Sequence, residues 1–204
     1  MSGIEQAEAT AAAADAFLPE DEVLRDARAQ AAEYGLTVPP PAVGATLRFL
    51  AALVDARSAV EVGTGTGVSG IWLLRGMRAD GILTSVDPDP DYQRAARSAF
   101  TAAGIPSNRA RLIAGRPLEV LPRLTDGGYD LMSVCADPLE YSSYLAEAPR
   151  LLRDGGVVAF TDATGRSAAA MRELGKALVA SEEFAAVLLP VGHGLLAATK
   201  RPVR

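Results

Sequence analysis

A doubly wound α/β sheet, mostly parallel and finished by an antiparallel hairpin, is the fold this sequence predicts, on three observations. After Asp55, short apolar runs alternate with longer amphipathic stretches, the pattern of parallel strands covered by helices on both faces. The first of these runs leads into a glycine-rich turn, Gly63-Thr64-Gly65-Thr66-Gly67, placed between a strand and a helix. The last two runs, 185–189 and 195–199, are separated only by Pro190-Val191-Gly192-His193-Gly194. So short a link holds no crossover helix and predicts an antiparallel pair. Five parallel strands and this pair make a sheet of seven.

The elements follow in chain order. Residues 1–18 are Ala-rich and weakly patterned, and a frayed helix or disordered tail is expected there, with one domain over 19–204. Glu20, Asp21 and Glu22 supply the negative charge that suits a helix N-terminus, and Gly35 follows Tyr34 as a stop. A second helix starts at Pro39-Pro40-Pro41, with Val43, Leu47, Leu50, Ala51 and Val54 at helical spacing. The parallel strands are predicted at 59–62, 82–86, 111–114, 131–135 and 157–160. Helices are predicted at 69–78, 91–103, 117–124 and 141–152.

Size and composition narrow the function. At 204 residues the chain buries one substantial core. A net charge of −5 without a basic run weighs against nucleic acid as a partner, because neutralising phosphates needs clustered Lys and Arg. The single cysteine, Cys135, forms no internal disulfide, and a cytoplasmic location is expected. The N-terminus lacks a basic segment followed by an apolar one, and no run of about 18 apolar residues predicts a membrane span.

The absent side chains of Gly63, Gly65 and Gly67 let backbone N–H groups approach a bound ligand closely, which implies a nucleotide-like cofactor. Residues 65–70 fit G-x-G-x-x-G, and Asp87 lies twenty residues beyond Gly67, as in a dinucleotide-binding fold. Asp87, ending an apolar run, is suited to accept hydrogen bonds from ribose hydroxyls; alternatively, Asp87-Pro88-Asp89-Pro90 simply starts a helix. Glu61, two residues before Gly63, gives Glu-x-Gly-x-Gly-x-Gly, a form that resembles methyltransferase motif I. A carboxylate there suits the cationic methionine end of S-adenosylmethionine and is a poor neighbour for pyrophosphate.

Over roughly residues 37–200 the sequence resembles the catechol and caffeoyl-CoA O-methyltransferase family, especially its small bacterial members. Pro41-Ala42-Val43-Gly44 precedes the first strand, and residues 60–69 match motif I. Leu112-Ile113-Ala114-Gly115-Arg116 is similar to the loop that lies against adenine. Tyr129-Asp130-Leu131 enters the fourth strand, Leu151-Leu152-Arg153-Asp154-Gly155-Gly156 leads to the fifth, and Gly192-His193-Gly194-Leu195 is similar to the final hairpin. The resemblance implies the seven-stranded class I methyltransferase sheet, S-adenosylmethionine as cofactor and a homodimer. It places Pro39, Glu61, Gly63, Thr64, Gly65 and Ser69 at the cofactor, together with Asp87, Pro88, Gly115, Arg116 and Asp137.

The acceptor half departs from the family. Its fourth strand usually ends in Asp-Ala-Asp-Lys, and here Cys135-Ala136-Asp137-Pro138 stands in that place; its fifth ends in Asp-Asn, where this chain has Asp162-Ala163. One of three metal ligands survives, and a thiol is a soft replacement in a site for a hard cation, so no metal is expected. Asp137 and Asp162 are the candidate catalytic residues. His193 is chemically suited to take a proton near neutrality, but its place in a hairpin favours a surface role. Cys135 and Trp72 are expected to pack in the interior. The expected activity is methyl transfer to a small hydroxylated molecule without the family's metal, with a non-catalytic cofactor-binding protein as the alternative. An NAD-dependent oxidoreductase is a third reading, resting only on G-x-G-x-x-G.

Overall fold

In the computed structural model, which describes residues 3–162 and 168–202, the N-terminal helices begin where the sequence places acid or proline. Helix α1 (Gly3–Phe17) covers most of the segment read as a frayed helix or tail. Helix α2 (Glu22–Glu33) is capped by the Asp21 side chain, which accepts from Leu24 N at 3.1 Å. Helix α3 (Pro41–Leu53) has Pro41 in its first turn and no acceptor on its own cap residue, Pro40. Asp15 of α1 fills that role, accepting from Ala42 N at 2.8 Å. A side chain from one helix thus satisfies the first turn of another and docks the N-terminal segment onto the domain.

The parallel strands are β1 (Ser58–Val62), β2 (Ile82–Asp87), β3 (Ala110–Ala114), β4 (Tyr129–Val134) and β5 (Leu152–Thr161). They are followed by β6 (Phe184–Leu189) and β7 (Leu195–Lys200). The sheet order is β3-β2-β1-β4-β5-β7-β6, with β7 antiparallel to both β5 and β6. The reversal of strand order beside β1 opens a crevice at the C-terminal ends of β1 and β4, where ligands of open α/β sheets bind.

Four further helices lie where the sequence predicted them: α4 (Val68–Gly76), α5 (Pro90–Ala102), α6 (Pro117–Val120) and α7 (Tyr141–Leu151). Helix α6 is much shorter than the predicted 117–124, because Pro122 cannot continue an α-helix and the chain tightens into a 3-10 turn over Leu121–Arg123. An eighth helix, α8 (Ala168–Ala180), was not anticipated. Its signal is Met171, Leu174 and Leu178, all buried at one-face spacing. Strand β5 is longer than the predicted 157–160, because residues from Leu152 onward already pair with β4 across an irregularity in register.

Alternation along the strands divides the interior in two. Ala59, Leu83, Leu131, Val157 and Ala159 pack with Leu47, Ile71, Trp72 and Phe100 on one face. Val60, Val62, Met132, Val134 and Phe160 pack with Tyr141, Tyr144, Leu174 and Leu178 on the other. Trp72 is in the first of these clusters, as the sequence led us to expect. The end of the central strands away from the crevice is tied by Asp130 near the start of β4, which accepts from Arg57 N, Ser58 N and Arg153 Nε at 2.7, 2.9 and 2.5 Å. Burial opposes its charge, but these donors hold the Asp130 carboxyl below its ordinary pKa.

Candidate functional site

A cavity of about 720 Å³ opens at the crevice, within the usual size range of small-molecule sites. One side is made by the turn after β1. Gly63, Thr64, Gly65 and Ser69 line it, with Asp87 and Pro88 from the end of β2 and Pro39 from the strap between α2 and α3. Gly63 has φ +90°, and a Cβ there would stand 2.4 Å from the Cys135 carbonyl oxygen. Only glycine fits where β1 and β4 end side by side.

The Asp87 carboxylate is held by main chain, accepting from Gly65 N and Asp89 N, both at 3.0 Å. Behind the turn, Glu61 is fully buried and does not line the cavity. Its Oε2 accepts from Ser85 Oγ at 2.6 Å, and Ser85 Oγ lies 2.7 Å from Thr64 Oγ1. Among the described residues, Glu61 Oε1 has no hydrogen-bond partner. Burial, assisted by the nearby Asp87 charge and opposed by the Ser69 and Ser85 hydroxyls, pushes the Glu61 carboxyl up to about 7. A buried carboxyl with one unsatisfied oxygen, next to a glycine turn, suits a ligand that carries positive charge.

Gly115 and Arg116 stand outside the lining; their neighbour Pro117 takes part instead. Gly115 serves the site indirectly, its N–H donating to Asp87 O at 3.1 Å. Tyr92 and Leu36 also line this side, and Tyr92 stacks at a tilt against Tyr34, centroids 5.4 Å apart. The sequence had singled out neither.

The opposite side is built from Cys135, Asp137, Asp162, Thr161, Tyr141, Tyr144 and His193. Asp137 accepts from Leu139 N at 3.0 Å and caps the 3-10 turn over Pro138–Glu140. Tyr141 OH donates to Thr161 O at 3.0 Å, and Tyr144 OH donates to Glu140. Burial pushes both phenols above their ordinary pKa, and it raises the Cys135 thiol to about 11, with the Glu61 charge adding to the effect. All three therefore keep their protons near neutrality. The two tyrosines were missed in the sequence; their spacing of three, at the start of the helix after β4, puts both on one face and is the signal that could have found them.

Asp162, just beyond β5, has φ +60°, a conformation non-glycine residues seldom adopt. Its Oδ1 lies 3.7 Å from Nδ1 of His193. The His193 side chain is 64% exposed, yet it borders the cavity rather than open surface alone. Ala163, the other altered position, lies outside the described residues.

A sheet in this strand order, with a glycine turn after β1 and a carboxylate ending β2, is the class I methyltransferase fold. The chain belongs to the O-methyltransferase family, which it matches over residues 10–201. A protein of Mycobacterium sp. (strain KMS) carrying the O-methyltransferase name is 45% identical over 206 residues, which span 96% of this chain and 94% of its own. The solved structure of a Corynebacterium glutamicum protein superposes with a TM-score of 0.87 at 28% identity, covering 100% of this chain and 99% of that one. The O-methyltransferase TomG of Streptomyces achromogenes, involved in tomaymycin synthesis and solved in complex with SAM, has a TM-score of 0.81 at 27% identity. That alignment covers 99% of this chain and 100% of TomG. No described helix is long and apolar enough to cross a membrane.

Proposed function

We propose that this member of the family transfers a methyl group from S-adenosylmethionine to a hydroxyl of a small molecule, without a divalent metal. The observation that carries the cofactor assignment is the orphaned Oε1 of buried Glu61 beside the glycine turn. In this reading Ser69, with buried Glu61 behind it, receives the methionine end, Asp87 the ribose, and Pro39, Gly63, Thr64, Gly65, Pro88 and Pro117 the body of the cofactor. Gly115 acts through its bond to Asp87. When bound, S-adenosylmethionine supplies an electrophilic methyl carbon on a sulfonium.

The protein's own part is to align the acceptor oxygen and exclude water. Tyr141, Tyr144 and Leu139 form the acceptor wall, and Asp137 and Asp162 orient its hydroxyl. The donor set supports metal-independence: a thiol raised to about 11 is not a thiolate at neutral pH and offers a hard cation nothing. A 720 Å³ cavity and a net charge of −5 favour a small molecule over nucleic acid. A homodimer and a cytoplasmic location complete the proposal. Exposed Phe17, Phe49 and Leu53 on α1 and α3 support the first, and the lone unpaired cysteine the second.

Calorimetry with S-adenosylhomocysteine, followed by a phenol panel assayed in excess EDTA, tests this reading. Binding and chelator-resistant methylation are expected. Tight binding of a nicotinamide dinucleotide with no binding of S-adenosylhomocysteine would overturn the cofactor assignment. Binding without methylation of any phenol would favour a non-catalytic protein.

A further inference from the structure

We propose that His193, oriented by Asp162, accepts the proton of the acceptor hydroxyl during methyl transfer, a role that rests on the methyltransferase reading above. Three independent features place this pair. The 3.7 Å approach of Asp162 Oδ1 to His193 Nδ1 joins the end of β5 to the β6–β7 loop across the cavity rim. Asp162 is held at φ +60°, and such backbone strain persists where the surrounding structure over-determines a residue, often at functional sites. The loop itself is wedged in place. A Cβ on Gly192 would stand 2.6 Å from Pro40 and 2.9 Å from Val43 at the start of α3, and Gly194 N donates to Val191 O at 2.8 Å. The imidazole is therefore presented by a tight turn pressed against α3.

The other polar groups on this wall do not suit the task. Tyr141, Tyr144 and the Cys135 thiol retain their protons, for the reasons given above. Asp137 already accepts from Leu139 N as a turn cap. A neutral imidazole beside a carboxylate is the arrangement that takes a proton and is stabilised once it has it. As the acceptor oxygen bonds to the methyl carbon, the carbon–sulfur bond breaks and its electron pair stays on sulfur. The hydroxyl proton passes to Nε2 of His193, the imidazolium is held by Asp162, and the exposed ring then releases the proton to water.

The test compares wild type with His193→Ala on two acceptors, catechol and 4-nitrophenol, the second largely ionised already. The variant should lose about 100-fold in kcat on catechol and less than about threefold on 4-nitrophenol, within the range general bases contribute. Added imidazole should restore part of the catechol rate, and the affinity for S-adenosylhomocysteine should be unchanged by calorimetry. His193 is the single histidine of the chain, so its imidazole proton resonance can be followed directly. Catechol titrated into the complex with S-adenosylhomocysteine should shift that resonance. Equal losses on both acceptors, no loss on either, or an unmoved resonance would overturn the proposal. A wild-type protein that binds S-adenosylhomocysteine and methylates neither phenol would instead overturn the methyltransferase reading beneath it.

Discussion

The two walls of the cavity are made of different material. On the side proposed for the cofactor the wall is largely main chain and buried polar groups: Thr64, Ser69 and Asp87 are nearly inaccessible, Glu61 is buried behind them, and the turn at Gly63 tolerates no side chain. On the acceptor side the wall is largely side chain and partly open, with Leu139 88% exposed and the His193 side chain 64% exposed. Its members come from the segment after β4, the end of β5 and the β6–β7 loop. A cofactor shared across a family can be met by rigid backbone, whereas acceptors vary and are met by replaceable side chains. Change on the first wall should therefore alter stability and cofactor binding together, and change on the second should alter turnover with smaller effects on folding.

The largest effect is expected from Gly63→Ala. Its φ of +90° is strained for alanine, and the new Cβ would meet the Cys135 carbonyl at 2.4 Å. We expect a loss of about 3 kcal/mol in urea unfolding, with S-adenosylhomocysteine binding abolished. A stable variant that still binds would break the contrast between the walls.

Glu61→Gln sharpens the contrast by separating stability from binding. In the ligand-free protein the folded-state pKa of Glu61 is raised to about 7 from an ordinary 4.5. Below 4.5 the carboxyl is protonated both folded and unfolded, and its burial carries no penalty from charge. As pH rises towards 7 the unfolded chain releases a proton that the folded chain keeps, so stability falls and then levels off above about 7. That loss amounts to roughly 3 kcal/mol between the two plateaus. Unfolding at pH 4 and pH 8 should show the slope in wild type, reduced in Glu61→Gln, while calorimetry should show weaker S-adenosylhomocysteine binding by the variant at pH 8.

The smallest effect is expected from Tyr141→Phe on the acceptor wall. Removing the hydroxyl loses one bond to Thr161 O, costing about 1 kcal/mol in unfolding, with cofactor affinity unchanged. A loss of cofactor affinity comparable to that of Gly63→Ala would show that the walls do not act separately.

These differences explain what could be read in advance. The wall proposed for the cofactor could be traced in the sequence because its demands are local: glycines where the turn needs them, and acids at the ends of apolar runs. Even there, the sequence pointed to Gly115 and Arg116, and in the fold it is the next residue, Pro117, that lines the cavity. The opposite wall was legible partly as a loss, Cys135 in place of an Asp and Ala163 in place of an Asn, and partly through Asp137, Asp162 and His193. Tyr141 and Tyr144 read as ordinary helix residues until α7 packed beside β4.

By itself, the sequence determined the alternation of strands and helices, the glycine turn, the closing hairpin and the departure at Cys135, because each depends on neighbours within a few residues. Only the tertiary structure decided that Asp15 caps α3, that Oε1 of Glu61 is buried without a partner among the described residues, and that His193 stands beside Asp162. Those outcomes join segments as many as 31 residues apart, as between Asp162 and His193. No local preference encodes such meetings; they arise when the sheet order places the β6–β7 loop next to the end of β5 and against the start of α3.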